Sequence, residues 1–285
     1  MRILPVPGDL SVKRGDVSQV AWAGDLRAIT FDFGNTLVAV DRAALHGVVE
    51  TTAKAVVLRL GSFDLDEFMA TWAEERERQF REEVPQFREV DLAERFVRVL
   101  ARLRGMAPPS ADDRWDQATA EKLSEPEEIG WAVETYSRAF VHALPPEPGV
   151  GLLLERLARR HQLAILSNWP LAVTIDRYVE AAGWAPHLAA VVVSQRVGTI
   201  KPDPAIFAAA AEVLGSPPPA TILHVGDDWA ADVVGAARAG WRTAYLDARP
   251  ADSPLPSSHR DGSVVPDLEL AELADLFVLL GLGDR

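Results

Sequence analysis

The segment at residues 28–38, AITFDFGNTLV, decides how the rest of the chain is organised. Its first residues are apolar or β-branched, which predicts a buried strand. Asp32 follows that strand, and Gly34 and Asn35 form a turn pair that tolerates positive φ. Chemistry in open α/β sheets gathers beyond the carboxyl ends of the strands, so Asp32 is a candidate site residue. Taken alone, it would more simply be a turn or helix-capping aspartate.

The composition describes an acidic protein without cysteine. The 285 residues are 48% hydrophobic, which allows roughly two compact units with a substantial core. A net charge of −13 argues against nucleic acid or an anionic membrane as the main partner. Without cysteine, disulfides and thiolate zinc sites are excluded. The N-terminus does not resemble a signal peptide and no apolar run reaches about 18 residues, so we expect a cytoplasmic protein that does not enter membranes.

Helical periodicity extends without a strand pattern over residues 40–145. Apolar residues recur at helical spacing in five segments, which predicts helices over residues 41–60, 64–84, 92–103, 112–123 and 126–142. Residues 1–25 lack clear periodicity, and we interpret them as an N-terminal extension that lies on the core or is partly disordered. The sequence therefore predicts an all-helical domain inserted shortly after the first strand.

The remaining chain alternates between strand and helix patterns. Strands are predicted at residues 163–167, 189–193, 221–225 and 241–246, and helices at 150–160, 171–182, 204–214, 230–239 and 268–280. This order predicts an α/β fold with a Rossmann-like parallel sheet and helices on both faces. Residues 26–39 and 146–285 then form one α/β core, which the helical domain interrupts.

Polar residues follow several of these strands. Because parallel strands end at the same edge of a sheet, we expect these residues to lie together. Lysine is scarce in this chain, with four against 25 arginines, so a lysine in this group suggests that a point charge is needed. The candidate site residues are Asp32, Ser167, Asn168, Lys201, Asp227, Asp228 and Asp232.

This group of side chains suits the transfer of a phosphoryl group. Asp32 and Asp227 offer the hard oxygen ligands that Mg²⁺ prefers. A carboxylate approaches an anionic phosphoryl group only when charge is neutralised, which Mg²⁺ and Lys201 would do while Ser167 binds a further oxygen. Asp32 would then attack phosphorus and form an aspartyl-phosphate.

Four segments together resemble the haloacid dehalogenase-like hydrolase superfamily. They are FDFGNTLV, LAILSN, GTIKPDPAIF and HVGDDWAAD, in the order that the family requires. The helical insert corresponds to the α-helical cap of the family's first subfamily. The resemblance implies that Asp32 is the nucleophile and that its carboxylate, Asp227 and the backbone carbonyl of Gly34 bind Mg²⁺. It further implies that the substrate is bound by Ser167, Asn168 and Lys201. Asp228 and Asp232 would support the metal from behind its ligands.

One position departs from the family pattern. Most phosphatases of the family carry a second aspartate two residues after the nucleophile, and this chain has Gly34 there. That aspartate protonates the leaving group and then activates water, and such a group is typically worth about 10²–10⁴-fold in rate. We therefore expect a phosphatase that acts on a small phosphorylated metabolite. Either its activity is impaired, or the leaving group of its substrate needs no acid, or another residue supplies the acid.

Three alternatives stay open. A 2-haloacid dehalogenase expels halide without a proton, but it has no use for Mg²⁺ or for Asp227. A phosphonoacetaldehyde hydrolase tolerates a small residue at position 34, but neither Lys54 nor Lys122 matches its cap lysine well. The third alternative is a binding protein with an inactive site. The sequence leaves the oligomeric state open.

Four other side chains have both a structural and a functional interpretation. Trp169 and Trp229 follow site loops, and we expect them to pack between the two domains rather than to stack on substrate. His46 is a candidate replacement acid, although a surface histidine is the simpler interpretation. We expect His224 to be a hydrogen-bonded structural residue inside its strand.

Overall fold

The structure, a computed structural model, describes residues 19–61 and 63–283, without the side chain of Pro148. Its centre is a six-stranded parallel sheet with the strand order β3-β2-β1-β4-β5-β6. The strands are β1 (Ala28–Phe31), β2 (Gln162–Ser167), β3 (Ala190–Val193), β4 (Ile222–Gly226), β5 (Arg242–Leu246) and β6 (Leu268–Leu270). The α/β fold class that the alternating pattern predicted is confirmed.

Strand β1 lies in the middle of the sheet, between β2 and β4, and both neighbours run parallel to it. All four of its residues are buried, as a strand covered on both faces requires. Phe31 is in register with Ile165 of β2 and with Val225 of β4. The residues that follow these three strands therefore emerge side by side at one edge of the sheet.

Helices cover both faces of the sheet. The α/β core contains α6 (Pro148–Ala158), α7 (Ala172–Ala181), α8 (Ser194–Val197), α9 (Pro204–Val213), α10 (Gly235–Arg238) and α11 (Asp275–Leu279). Successive residues of β1 alternate between the two faces: Ile29 belongs to the larger hydrophobic cluster, and Ala28 to a smaller one with Phe207 of α9. A π-helical turn, Trp229–Val234, leads directly into α10.

Among the residues described, the insert after β1 contains helices, turns and loops but no strand. It contains α1 (Arg42–Leu60), α2 (Leu65–Glu83), α3 (Leu92–Leu103), α4 (Gln117–Glu121) and α5 (Pro126–Ala143). Asp41 begins α1 by accepting a hydrogen bond from the Ala44 N–H at 2.7 Å, and Gly61 ends it in a left-handed conformation. Helix α4 is much shorter than the helix predicted over residues 112–123, because turns occupy both of its flanks.

Aromatic side chains join the cap to the core beside the sheet edge. Phe140 of α5 lies 5.2 Å, centroid to centroid, from Trp169, which follows β2, and Trp169 lies 5.4 Å from Phe33, which follows β1. Edge-to-face pairs of this kind add to the area that the rings bury. The expectation that Trp169 packs between the two domains is confirmed. Trp229 instead packs on Tyr245 of β5, within the core.

The C-terminal region corrects one sequence prediction. A single helix over residues 268–280 was expected, but Leu268–Leu270 forms β6 and only Asp275–Leu279 is helical. Leu268 and Leu270 are buried while Glu269 between them is exposed, and β6 pairs with β5. A three-residue alternation is too short to distinguish from a helical pattern, so the free sheet edge at β5 decided the conformation.

Other differences are smaller. The predicted extension falls mostly outside the described residues, but Ala21–Asp25 forms a 3-10 helix and the Val20 N–H donates to the Leu279 carbonyl at 3.0 Å. Helix α8 and the 3-10 turns Val84–Gln86, Ala185–His187 and Pro219–Thr221 were not predicted. Within the described residues, no helix is long and apolar enough to cross a membrane.

Candidate active site

Lys201 lies at the centre of the edge where the strands end. Its ammonium donates to Asp32 Oδ1 at 2.8 Å, to Asp232 Oδ1 at 2.6 Å and to the Leu166 carbonyl at 2.8 Å, which uses all three protons. Its side chain is 1% exposed. Burial alone would lower the pKa of Lys201, but the charges of Asp232 and Asp32 raise it. The lysine is therefore a fixed positive charge between two carboxylates.

Three carboxylates, those of Asp32, Asp227 and Asp232, have oxygens within 4.8 Å of one another. Burial, together with the charges of Asp32 and Asp232, raises the pKa of Asp227 to about 7. Burial raises the pKa of Asp32 as well, whereas Lys201 offsets burial at Asp232 and helps to hold its pKa low. Among the residues that the structure describes, two cations contact this cluster, Lys201 and Arg249. The cluster attracts further positive charge because its carboxylates outnumber these cations.

His224 supports the cluster from inside the sheet. Its Nε2 lies 3.0 Å from Asp232 Oδ1, and its Nδ1 lies 2.8 Å from the Thr30 hydroxyl. Because an ionised carboxylate only accepts, the neutral tautomer with its proton on Nε2 satisfies both contacts. Burial lowers the pKa of His224 and favours this neutral form. The expectation of a hydrogen-bonded structural histidine is confirmed.

Ser167 and Asn168 follow β2 but have different environments. The Ser167 hydroxyl is buried and has no hydrogen-bond partner among the described residues. The Asn168 side chain donates to the Lys201 carbonyl at 3.0 Å and accepts from the Lys201 N–H at 2.7 Å. Asn168 thus holds the backbone of Lys201 in place. No described residue engages the Ser167 hydroxyl.

Arg249, which follows β5, is a site residue that sequence reasoning missed. Its Nη1 donates to Asp227 Oδ2 at 3.0 Å, and its Nη2 donates to the Leu255 carbonyl. The other oxygen of Asp227 accepts from the Thr36 hydroxyl at 3.3 Å. No motif marks Arg249, because it is one of 25 arginines and lies in a loop without periodicity. The one available signal was that few apolar residues surround it in sequence, which indicates a polar loop but no site.

Residues 247–267, which we call the β5–β6 loop, lie over the site at this edge of the sheet. Ser258 donates through its N–H and its hydroxyl to Asp228, each at 2.8 Å. Asp228 also accepts from the Ala231 N–H at 2.8 Å and thereby caps the π-helical turn. On the other side of the site, the Asn35 amide donates to the Ser253 hydroxyl at 3.0 Å. Asp228 therefore contacts the loop and the next helix.

Gly34 lies beneath the same loop. A Cβ added at this position would be 2.6 Å from Leu255 Cδ1 and 3.2 Å from Trp169 Cζ3. The positive φ of this turn belongs to Asn35, at 57°, and not to Gly34. The obstacle to a side chain at position 34 is thus the leucine above it. The turn pair that was predicted to tolerate positive φ adopts it at Asn35 and not at Gly34.

A cavity of about 360 Å³ joins this edge of the sheet to the cap. Asp32, Lys201 and Arg249 line its core end, and mostly apolar residues line its cap end. His46 is exposed and does not line the cavity, which supports its interpretation as a surface residue. The cap residues that line it include Leu45, Arg76, Phe80, Val90, Arg95 and Tyr136.

The parallel sheet, its carboxylate-lined edge and its helical cap define a capped α/β enzyme fold. A family model described as haloacid dehalogenase-like hydrolase matches residues 26–240, and the chain belongs to this family of hydrolases.

Two relatives in sequence were found for parts of the chain. Pyrimidine 5'-nucleotidase YjjG of Escherichia coli is 30% identical over 138 residues, which cover 48% of this chain and 60% of that protein. Phosphoserine phosphatase of Thermus thermophilus is 31% identical over 182 residues, which cover 63% of this chain and 68% of that protein. The matches are thus partial for both.

Solved structures share the fold over a larger part of the chain. A 2-haloacid dehalogenase from Pseudomonas syringae superposes with a TM-score of 0.60 at 22% identity, over 88% of this chain and 96% of that one. At this level of identity, the similarity concerns the architecture alone.

Proposed function

We propose that this hydrolase is a Mg²⁺-dependent phosphatase that acts on a small phosphorylated metabolite through an aspartyl-phosphate at Asp32. The observation that carries the proposal is the proximity of Asp227 to Asp32 and Asp232, with ligand oxygens within 4.8 Å. Three like charges at this distance require more positive charge than the described side chains supply. The two sequence relatives support it, because one is named a nucleotidase and the other a phosphatase.

The donor set fits a magnesium ion. Asp32, Asp227 and the Gly34 carbonyl would hold it, since carboxylate and carbonyl oxygens are hard ligands and Mg²⁺ needs few of them. Asp32 Oδ2 has no hydrogen-bond partner among the described residues. The ion would neutralise charge on the phosphoryl oxygens. Asp228 and Asp232 would support this arrangement indirectly, through the contacts that orient the helix and Lys201.

The residues of the chain divide the work on the phosphoryl group. Lys201, whose protons are already donated, acts on the phosphoryl oxygens through its positive charge, the Ser167 hydroxyl binds one of them, and Asn168 keeps Lys201 in position. An oxygen of Asp32 forms a bond to phosphorus as the bond from phosphorus to the ester oxygen breaks, and the departing oxygen keeps the electron pair. Water then attacks phosphorus, which releases phosphate and regenerates the carboxylate of Asp32.

The leaving group receives no proton from position 34. Gly34 has no side chain, and Leu255 and Trp169 fill the space where one would begin. An aryl or acyl phosphate departs as a stabilised anion, whereas an alkyl phosphate needs a proton as it leaves. We therefore expect a steep preference for good leaving groups. Slow hydrolysis of the aspartyl-phosphate would then give a burst of one product equivalent before steady turnover.

A phosphate-ester screen tests the proposal. Release of phosphate from aryl, acyl and alkyl phosphates is measured with Mg²⁺ and with a chelator, in the wild type and in Asp32→Asn. Activity that needs both Mg²⁺ and Asp32 supports the proposal. Asp66→Asn, at an exposed position of α2, is the matched control and should behave as the wild type. A wild type inactive on every phosphate class contradicts the proposal.

The Arg249–Asp227 pair favours a second candidate, hydrolysis of a carbon–halogen bond. This pair supplies a cation to Asp227 without a metal, at 3.0 Å, and halide leaves without a proton. Asp32 would then displace halide from carbon and form an ester that water hydrolyses. Halide release from 2-haloacids that persists in chelator, with no phosphate released from any ester, would select this candidate.

A further inference from the structure

Arg95 of α3 is buried within the cap and faces the cavity. The residue is 5% exposed and lines the same cavity as Asp32 and Lys201. Its guanidinium makes one hydrogen bond among the described residues, from Nε to Gln79 Oε1 at 2.8 Å. It forms no ion pair there, although arginines elsewhere in α3, such as Arg98 and Arg102, pair with glutamates. The two terminal nitrogens are thus free to bind a ligand.

The surroundings hold this guanidinium rigidly. Gln79 is itself fully buried and donates to the Asp91 carbonyl at 2.9 Å, which fixes its orientation. The Arg95 guanidinium carbon lies 5.2 Å from the centroid of the Trp72 ring. Burial lowers the pKa of Arg95 to about 10, so the group is still cationic at neutral pH. An unpaired buried cation costs free energy unless a ligand compensates it.

Two further residues determine what this end of the cavity accepts. Tyr136 lines the cavity with a buried side chain, and its hydroxyl has no hydrogen-bond partner among the described residues. Glu89 also lines the cavity, but its oxygens accept from the Val90 N–H and from the Ser194 hydroxyl. Glu89 makes no hydrogen bond or ion pair with Arg95 among the described residues, although its charge acts on the guanidinium at longer range. The guanidinium has only donors and the phenol hydroxyl can also donate, so both groups can bind an anion in the cavity.

We propose that Arg95, assisted by Tyr136, binds a carboxylate of the substrate at the cap end of the cavity, away from the group that reacts at Asp32. The planar guanidinium has paired donors that match the two oxygens of a carboxylate. The cavity walls between the two ends are largely apolar. The substrate is then a small organic phosphate with an apolar body and a carboxylate. This assignment depends on the proposed phosphatase function only for the identity of the group that reacts at Asp32.

Matched aryl phosphates test the assignment. Values of kcat/KM are measured for 3- and 4-carboxyphenyl phosphate and for the corresponding neutral carbamoylphenyl phosphates. For at least one isomer, we expect the wild type to prefer the carboxylate by roughly 10- to 100-fold, as expected for hydrogen bonds to a charged group. Arg95→Met should bring this ratio close to one, and Arg95→Lys should give an intermediate ratio. A wild type without the preference overturns the proposal, whether or not the variants fold.

The control variant is Arg138→Met. Arg138 is an exposed arginine of α5 outside the cavity, so its replacement changes the net charge equally and should leave the ratio as in the wild type. An equal loss of the ratio in Arg138→Met and Arg95→Met would mean that overall charge is responsible, and it would overturn the proposal.

Binding measurements distinguish failure of this assignment from failure of the phosphatase function. If no phosphate ester is hydrolysed, calorimetric titrations with benzoate and benzamide replace the kinetic assay. Benzoate that binds more tightly than benzamide to the wild type, but not to Arg95→Met, supports the carboxylate site even though the phosphatase proposal has failed. Equal binding of benzoate by wild type and Arg95→Met overturns the carboxylate site.

Discussion

Replacement of Gly34 tests why the site lacks an acid at this position. A Cβ added at position 34 would lie 2.6 Å from Leu255 Cδ1, whereas carbon atoms make favourable contacts at about 3.5–4.0 Å. A side chain at position 34 therefore requires Leu255 to move by roughly 1 Å, and overpacking of this kind typically costs about 1–3 kcal/mol. The φ of Gly34 adds no strain. We expect Gly34→Ala to fold with a stability reduced by about that amount.

The double variant isolates the contact. Leu255→Ala removes the atom that lies closest to position 34, so Gly34→Ala should cost much less in that background. Urea unfolding of the four proteins gives a coupling free energy, for which we expect about 1 kcal/mol or more because the two residues touch. Single-variant costs that add to within about 0.5 kcal/mol would refute the steric reasoning.

The same background tests the chemical role of the position. In Leu255→Ala, Gly34→Asp places a carboxyl group where the family's phosphatases have their acid. Hydrolysis of alkyl phosphates should then rise by part of the 10²–10⁴-fold that a general acid typically contributes, while aryl phosphates gain little. Steady-state rates for both ester classes are the assay. A folded double variant with an unchanged ratio of alkyl to aryl rates would refute this explanation of the leaving-group preference.

Three further predictions follow from the charges at the site. Asp227→Asn should lose most Mg²⁺ binding in calorimetry because it removes a ligand carboxylate, and equal affinity would contradict the proposed ligand set. At pH 9, above the pKa of about 7 of Asp227, which loss of Arg249 raises further, Arg249→Met should bind Mg²⁺ more tightly because a competing cation is gone; weaker binding would contradict that competition. The pKa of His224 lies below its ordinary 6.5, so the unfolded chain binds a proton that the folded chain does not as the pH falls below 6.5. The free energy of unfolding should decrease in that window by up to about 1.4 kcal/mol per pH unit, and this part should be absent in His224→Gln; identical pH profiles would contradict it.

The strand ends were predictable because their position follows from topology alone. A parallel strand must end at the same edge as its neighbours, so Asp32, Ser167 and Asp227 could be placed together without any knowledge of distances. The helical cap was equally predictable, because apolar faces recur at helical spacing over several turns in α2, α3 and α5. Both the order of the elements and the residues at the strand ends can therefore be predicted from local sequence patterns.

The sequence by itself thus determined the α/β order, the helical insert and the polar residues that follow β1, β2 and β4. Tertiary structure decided what fills the remaining space at the site. Arg249 and Leu255 lie in a loop whose own sequence has no period, and they meet Asp227 and Gly34 only because β5 and β6 bring that loop over the sheet edge. Likewise, that Arg95 faces the cavity while other arginines of α3 pair with glutamates depends on contacts with α2, which periodicity does not specify. Side-chain partners far apart in sequence are chosen by packing, and the pattern of one segment does not encode them.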